Sequence, residues 1–235
     1  MCAYTGVDNL EAMRAARNYR RFLTSLIERA VGPPEQDLDI MDFGAGDGTY
    51  AVAAQELGYS ITCLEPDLQL AQQLKRSGLR HLPDLATVPN ESYDLVYTFN
   101  VLEHIQDDVK ALTALRRVLR PNGRLLVYVP AFQVLYGPMD AKVGHVRRYS
   151  RKGLVDSVTR AGFTVKDVRY VDSLGFLAAA MYRLVGSRSG TLSESSVKTY
   201  DQWIFPLSLK LDSAFGRWLG KNLLLEARSQ ETYAL

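Results

Sequence analysis

Residues 40–50, "IMDFGAGDGTY", decide how the rest of the chain is read. An apolar run leads in, and an acid and three glycines follow at alternate positions: Asp42, Gly44, Gly46 and Gly48. Glycine adopts positive φ without a steric penalty and lets a ligand come close to the backbone. The stretch therefore predicts a strand that turns through a tight binding loop into a helix over 48–57. A dinucleotide fingerprint has the spacing G-x-G-x-x-G, and here Thr49 stands where its third glycine would be. The glycines alone do not identify the ligand.

Working outward, strand and helix signals alternate. Upstream, Leu10, Met13, Tyr19, Phe22, Leu23, Leu26 and Ile27 recur at helical spacing over 9–30, and Gly32-Pro33-Pro34 ends that helix. Downstream, "LDIMDF", "SITCLE", "YDLVYTFN" and "RLLVYVP" read as strands. The helices between them are 48–57, "DLQLAQQLKRSG" and "DDVKALTALRRVLRPNG", the last capped by Asp107 and stopped by Pro121-Asn122-Gly123. Such alternation predicts an α/β fold, a doubly wound Rossmann-like sheet of parallel strands joined by crossover helices. After Pro130 the pattern changes. A loop, "AFQVLYGPMDAKVGHVRRY", precedes a helix over 150–161 and a strand over Phe163–Val171. Residues 173–220 are helical and rich in Phe176, Met181, Tyr182, Trp203, Phe205, Phe215 and Trp218, before a last strand "KNLLLEARS". A segment this long between the last two strands exceeds an ordinary crossover. It reads as a helical cap over a pocket.

Composition excludes several classes. The chain has 235 residues, 47% hydrophobic and 23% charged, with a net charge of +2. That is one ordinary globular domain, residues 1–235, too weakly basic to argue for nucleic acid. Cys2 and Cys63 lie far apart with no ligand spacing, so no metal and a reducing cytoplasm are expected. The N-terminus has no apolar signal-peptide core. The longest uncharged apolar stretch, Ser173 to Tyr182, is about half what a bilayer-spanning helix requires.

Charge then narrows the ligand. Glu65 ends "ITCLE" about 20 residues past the glycines, where a carboxylate accepts from both ribose hydroxyls. Asp42 and Asp47 would repel a pyrophosphate but suit an amine or a cation. This favours S-adenosylmethionine, which carries an ammonium and a sulfonium and no phosphate, over NAD.

"DFGAGDGTY", "CLEPD", "YDLVYTFNVLEHIQDD" and "LRPNGRLLVYVP" follow one another in an order and spacing that resembles the class I S-adenosylmethionine-dependent methyltransferases, most of all the type-11 small-molecule group. The resemblance covers residues 38–130, which it makes the cofactor-binding core. It implies a seven-stranded sheet whose last strand is antiparallel. It also implies a cofactor site of Asp42, Gly44, Ala45, Gly46, Gly48, Glu65, Pro66, Asn100 and Val101, with Asp84 and Leu85 near the adenine. "NYRRF", within an N-terminal helical lid over 1–34, resembles the element that closes over the cofactor, with Tyr19 as its contact; the residues themselves allow Tyr19 to be plain core. The product would be S-adenosylhomocysteine.

Methyl transfer is an in-line displacement on an already activated methyl group, so the protein must position the acceptor, exclude water and remove a proton from a hydroxyl acceptor. Positioning alone contributes on the order of 7–11 kcal/mol. Of three histidines, His81 reads as surface. His104 follows the fourth strand and either acts as a base or fixes the loop. His145 lies in "GHVRRYS", part of an acceptor-side loop over 131–150, where His145, Arg147, Arg148, Arg151 and Lys152 crowd a helix N-terminus that Ser150 should cap. The dipole disfavours cations there. Either an anionic acceptor group binds Arg147, Arg148 and Tyr149, or the acids Asp140 and Asp156 pair with a solvated turn. The expected reaction is methylation of a small, fairly apolar acceptor, with an oxygen acceptor favoured over a nitrogen one and both open. A lipid-linked or glycosylated acceptor is the alternative, with membrane-surface contact through the apolar cap. A non-catalytic S-adenosylmethionine-binding protein is the alternative of another class.

Overall fold

The central strands are buried at nearly every position rather than at alternate ones, the pattern of a parallel sheet covered on both faces. The computed structural model describes residues 12–34, 37–185 and 193–230. Cys2, Leu10, Arg188 and the first seven residues of the Ser/Gly-rich stretch at 186–196 lie outside them. The strands are β1 (Ile40–Phe43), β2 (Ile61–Leu64), β3 (Arg80–Leu82), β4 (Tyr93–Phe99), β5 (Leu119–Pro130), β6 (Phe163–Val171) and β7 (Asn222–Ser229). They form one seven-stranded sheet in the order β3-β2-β1-β4-β5-β7-β6. β7 runs antiparallel to both neighbours, and β1, β2, β3, β4 and β5 pair in parallel.

Alternate side chains supply two separate cores. Met41, Val96, Val127 and Leu225 face one side, with Leu112 and Leu115 of α4 (Asp108–Val118) and Leu154 and Val158 of α6 (Arg151–Arg160). Ile40, Leu95, Leu126 and Leu224 face the other, with Leu23 and Ile27 of α1 (Arg17–Val31), Ala51 and Ala54 of α2 (Thr49–Glu56) and Leu74 of α3 (Leu68–Arg76). Between β5 and α6 lies a short α5 (Pro138–Val143). Three helices separate β6 from β7: α7 (Ser173–Val185), α8 (Glu194–Thr199) and α9 (Phe205–Phe215), with a π-turn over Tyr200–Ile204. No helix of the described residues is long and apolar enough to cross a membrane.

Two local readings change. Arg80–Leu82, which carries no strand signal in the sequence, pairs with β2 as an edge strand. Three residues are too few to show a period. "RPNG" was read as the end of a helix, but α4 stops at Val118 and these residues lie inside β5. They bulge between the Tyr93–Leu119 and Leu95–Arg124 pairs, with Asn122 at φ 61°.

Candidate cofactor and acceptor site

The C-terminal ends of β1, β2 and β4 converge where the strand order reverses, β2 lying on one side of β1 and β4 on the other. Open α/β sheets place ligands at that switch point. Gly44, Gly46 and Gly48 leave β1 with φ of 78°, 57° and 79°, a region that side chains with a Cβ rarely adopt. Their surroundings differ. A Cβ on Gly44 would meet Val101 at 2.5 Å, and one on Gly48 would meet Leu74 at 2.6 Å, so these two permit close packing. A Cβ on Gly46 would meet nothing within 4 Å. Gly46 thus borders open space, flanked by buried Ala45.

Glu65, 7% exposed, accepts from the Gly46 N–H and the Asp67 N–H, both at 2.9 Å. Burial raises its pKa, and those two bonds lower it in part. It latches the glycine loop to the tip of β2, and the remaining lone pairs of both oxygens are available to hydroxyls. His81, read from sequence as surface, is half-buried, and its Nε2 lies 2.9 Å from the Glu65 carbonyl. Its place opposite Cys63 on the edge strand makes it part of this latch. Asp42 is 2% exposed beneath the loop and takes a hydrogen bond from the Tyr97 hydroxyl at 2.9 Å. Burial pushes its pKa up to about 7, against that hydrogen bond. Asp47 is committed elsewhere: it pairs with Arg14 at 2.9 Å and accepts from the Thr49 N–H and hydroxyl at the start of α2. Pro66 is exposed beside Glu65. Asp84 is exposed and accepts from the Ala86 N–H, fixing the turn that carries Leu85.

Asn100 ends β4 at φ 56°, a strained conformation that asparagine tolerates better than most residues. Its amide donates to the Tyr19 hydroxyl at 3.2 Å. Tyr19 also packs edge-on against Tyr128 and Phe205, and burial raises its pKa. The lid tyrosine and the strand-tip asparagine are therefore in contact. One element that holds Tyr19 there was not legible in the sequence: Asp201 of the π-turn accepts from the backbone N–H groups of Asn18 and Tyr19 at 2.9 and 2.8 Å.

On the acceptor side the cationic loop is internally paired. Arg148 is 7% exposed; its Nε donates to Asp140 at 2.8 Å and its Nη1 to the Ala131 carbonyl. Arg147 lies 3.3 Å from Asp108 and donates to the Gln106 carbonyl. Tyr149 is buried and donates to Asp108 at 2.9 Å. Arg151 reaches the Val168 carbonyl, and Lys152 pairs with Asp156. Ser150 caps α6 through the Gly153 N–H, as its sequence position indicates. The charge crowding at this helix start thus has a structural explanation: Asp108 and Asp140 neutralise it from other elements.

His145 Nδ1 lies 2.7 Å from Asp140 Oδ1. Although burial works to raise the Asp140 pKa, the hydrogen bonds from His145 and Arg148 hold it below the usual value. With Asp140 accepting at Nδ1, the neutral ring presents its lone pair at Nε2. His104 stands edge-on to His145, ring centroids 4.7 Å apart, and burial lowers its pKa to about 4. Glu103, which the sequence reading passed over, is fully buried beside them, and burial raises its pKa to about 8. An acid directly following "NVL" in "NVLEHI" was the available signal. Phe132, at φ 62°, stacks on Tyr170 and meets Phe176 edge-on, giving this side an apolar wall.

Comparison with known proteins identifies the family. Residues 15–168 match the family described as "Methyltransferase domain". A protein of Mycolicibacterium smegmatis named "Probable S-adenosylmethionine-dependent methyltransferase" is 28% identical over 169 residues, 68% of this chain and 63% of that one. A ubiquinone biosynthesis O-methyltransferase of Dinoroseobacter shibae is 33% identical over 102 residues, 40% of this chain and 41% of that one. These matches span less than two thirds of the relatives' own length. The crystal structure of an S-adenosylmethionine-dependent methyltransferase of Thermotoga maritima shares the fold, with a TM-score of 0.65 at 18% identity over 96% of this chain and 97% of that one. The family match covers the glycine loop, the Glu65 latch and the Asn100 tip together, and the chain belongs to the class I S-adenosylmethionine-dependent methyltransferases.

Proposed function

We propose that the protein transfers the methyl group of S-adenosylmethionine to a hydroxyl of a small, fairly apolar metabolite. The observation that carries the oxygen assignment is the His145–Asp140 pair, 2.7 Å apart and packed against His104 in the turn after β4. A hydroxyl acceptor needs its proton removed as it attacks, whereas a neutral amine attacks with a free lone pair. In this reading the acceptor oxygen bonds to the methyl carbon, and the carbon–sulfur bond breaks with its electron pair going to sulfur. This leaves neutral S-adenosylhomocysteine, and the proton passes to His145 Nε2. Asp140 orients the ring and stabilises the imidazolium.

The cofactor is held by Asp42, Gly44, Ala45, Gly46, Gly48, Glu65, Pro66, Asn100, Val101 and Tyr19, with Asp84 and Leu85 bordering the adenine. Arg148 and Tyr149 act as positioning residues for the loop over 131–150, because their polar atoms are committed to Asp140 and Asp108. Arg147, 29% exposed at its side chain, is the member of the pair that still faces solvent. The O-methyltransferase name of the Dinoroseobacter shibae relative supports the oxygen assignment. Turnover to S-adenosylhomocysteine, measured with matched phenols, alcohols and amines, tests the reading. His145→Ala is expected to lower kcat by about 10²–10⁴-fold with S-adenosylmethionine affinity retained. Turnover with amines alone, insensitive to His145→Ala, would overturn it.

A lipid-linked acceptor is a second reading, favoured by one surface. Leu177, Met181, Trp203, Leu207, Phe215 and Trp218 are each at least 51% exposed on the helices between β6 and β7. Arg183, Lys210 and Arg217 are exposed on the same segment. Aromatic and cationic side chains together suit an anionic membrane surface. Co-sedimentation with anionic and neutral vesicles separates the two readings.

A further inference from the structure

Glu103 carries a cost that the methyl-transfer chemistry does not explain. It is 0% exposed, and neither carboxylate oxygen has a hydrogen-bond partner. Buried polar groups are almost always satisfied, and a buried carboxylate left alone is among the most expensive exceptions. Two imidazoles border it. His145 Nε2 is 3.7 Å from Glu103 Oε1, beyond hydrogen-bond reach, and His104 packs edge-on against His145. One potential ligand atom from each of Glu103, His104 and His145 lies within 4.8 Å of the other two.

The supporting contacts are those of a site held ready. The Val146 N–H donates to the Glu103 carbonyl at 2.8 Å, joining the turn after β4 to the loop after α5. Asp140 holds His145 through Nδ1 at 2.7 Å, the carboxylate–histidine arrangement that orients a ligating Nε2. Gly144, at φ 82°, contributes a backbone hydrogen bond to His104. Arg148 and Asp140 are the further charged groups packed against the cluster, and they pair with each other.

We propose that Glu103, His104 and His145 form a binding site for a divalent transition-metal ion. Two imidazoles and one carboxylate favour zinc, iron, cobalt, nickel or manganese over magnesium and calcium, which take oxygen ligands. Two ligands at ~2.1 Å from one ion stand at most ~4.2 Å apart, so the widest separation the cluster allows has to contract by roughly half an ångström. A bound ion would satisfy the Glu103 oxygens and take the His145 Nε2 lone pair, so that ring serves as a base only in the ion-free chain. With only three protein ligands it would retain open positions, where an acceptor hydroxyl would bind as its alkoxide, the proton passing to solvent water. That last role rests on the methyl-transfer reading; the binding of the ion does not.

The test uses the full chain after dialysis against a chelator, titrated with Co²⁺ and separately with Mg²⁺. Visible d–d absorption of bound Co²⁺ is the readout, and S-adenosylmethionine affinity by calorimetry is measured on the same samples. One equivalent of Co²⁺ is expected to bind, with Mg²⁺ at least tenfold weaker. Glu103→Gln, which keeps the shape, and His145→Ala should each weaken Co²⁺ at least tenfold, and Asp140→Asn by about 10–100-fold. Stoichiometric Co²⁺ binding that persists unchanged in Glu103→Gln and His145→Ala would overturn the site. So would the absence of Co²⁺ binding together with a more stable Glu103→Gln protein, which would make Glu103 a protonated core acid. Loss of S-adenosylmethionine binding in the unsubstituted chain would instead sink the cofactor assignment and leave the metal result standing.

Discussion

Asp42 combines a stability cost with the cofactor-binding role proposed for it. Its folded pKa, raised to about 7 by burial, exceeds the unfolded value of 3.8, so the folded state holds the proton more tightly. Its contribution to stability is therefore greatest below the unfolded value and is lost as pH rises through about 7. A cationic cofactor reverses the preference, because an ammonium beside Asp42 favours the carboxylate. S-adenosylmethionine affinity is expected to rise with pH up to about 7, by at most roughly tenfold per unit, and then level off. Asp42→Asn should flatten that profile in calorimetric titrations; an unchanged slope would place the amine elsewhere. At Glu65, removal of the carboxylate strands the Gly46 and Asp67 N–H groups as well as any ribose hydroxyls. Glu65→Ala should weaken the cofactor by roughly 1–3 kcal/mol. Gly46→Val should abolish binding; the space around that Cβ is open, so the cost to the fold is the strain of a β-branched residue at φ 57°. Normal binding by both variants would show that the loop holds something else. Glu65 and Gly46 were legible because the motif is local. The partners of Asp42 and His81 were not, since Tyr97 and the Glu65 carbonyl reach them only through sheet pairing.

The loop between β5 and α6 illustrates what separates a readable element from an unreadable one. Its cations are visible in "GHVRRYS", and read alone they look like an anion site. The acids that neutralise them arrive from elsewhere. Asp108 opens α4, and Asp140, although near in sequence, is turned inward to meet Arg148, His145 and the Gly137 N–H at once. The same limit hid β3, whose pairing with β2 is its only distinguishing feature, and the bulge that puts Pro121-Asn122-Gly123 inside β5. The strands β1, β4 and β7 were legible because burial on both faces leaves a continuous apolar run. Arg148 and Arg147 give the element its test. Arg148→Ala leaves Asp140 buried with one cationic partner fewer and should destabilise the fold by about 3–5 kcal/mol. Arg147→Ala removes a partly exposed pair and should cost less than about 1 kcal/mol. Denaturant midpoints decide between the two; equal, small losses would return Arg148 to the acceptor site.

Across the whole molecule, the helical segment between β6 and β7 is tied to the cofactor end of the sheet through the first helix. The start of α1 has no side-chain cap of its own, its N-cap position being Ala16. Asp201, 183 residues away from Asn18, supplies the cap by accepting from the N–H groups of Asn18 and Tyr19, while Asn18 donates back to the Asp201 carbonyl. Tyr19, held in this way, meets Asn100 at the tip of β4 and Phe205 at the start of α9. The segment thus reaches Tyr19, one of the residues proposed to hold the cofactor, through contacts that a local sequence pattern cannot show. Asp212 offers an internal control. It plays the equivalent part at the far end of the segment, accepting from the Asp172 and Ser173 N–H groups at 2.7 and 2.9 Å rather than from the backbone of Asn18 and Tyr19. Asp201→Ala and Asp212→Ala each strand two backbone donors and should each destabilise by about 1–3 kcal/mol. Only Asp201→Ala is expected to loosen Tyr19 and weaken S-adenosylmethionine binding beyond what Tyr19→Phe does alone. Calorimetry on the three variants, at a temperature where all remain folded, reads the difference. Equal losses of affinity in Asp201→Ala and Asp212→Ala would mean that the segment acts on the site through general stability rather than through the capped end of α1.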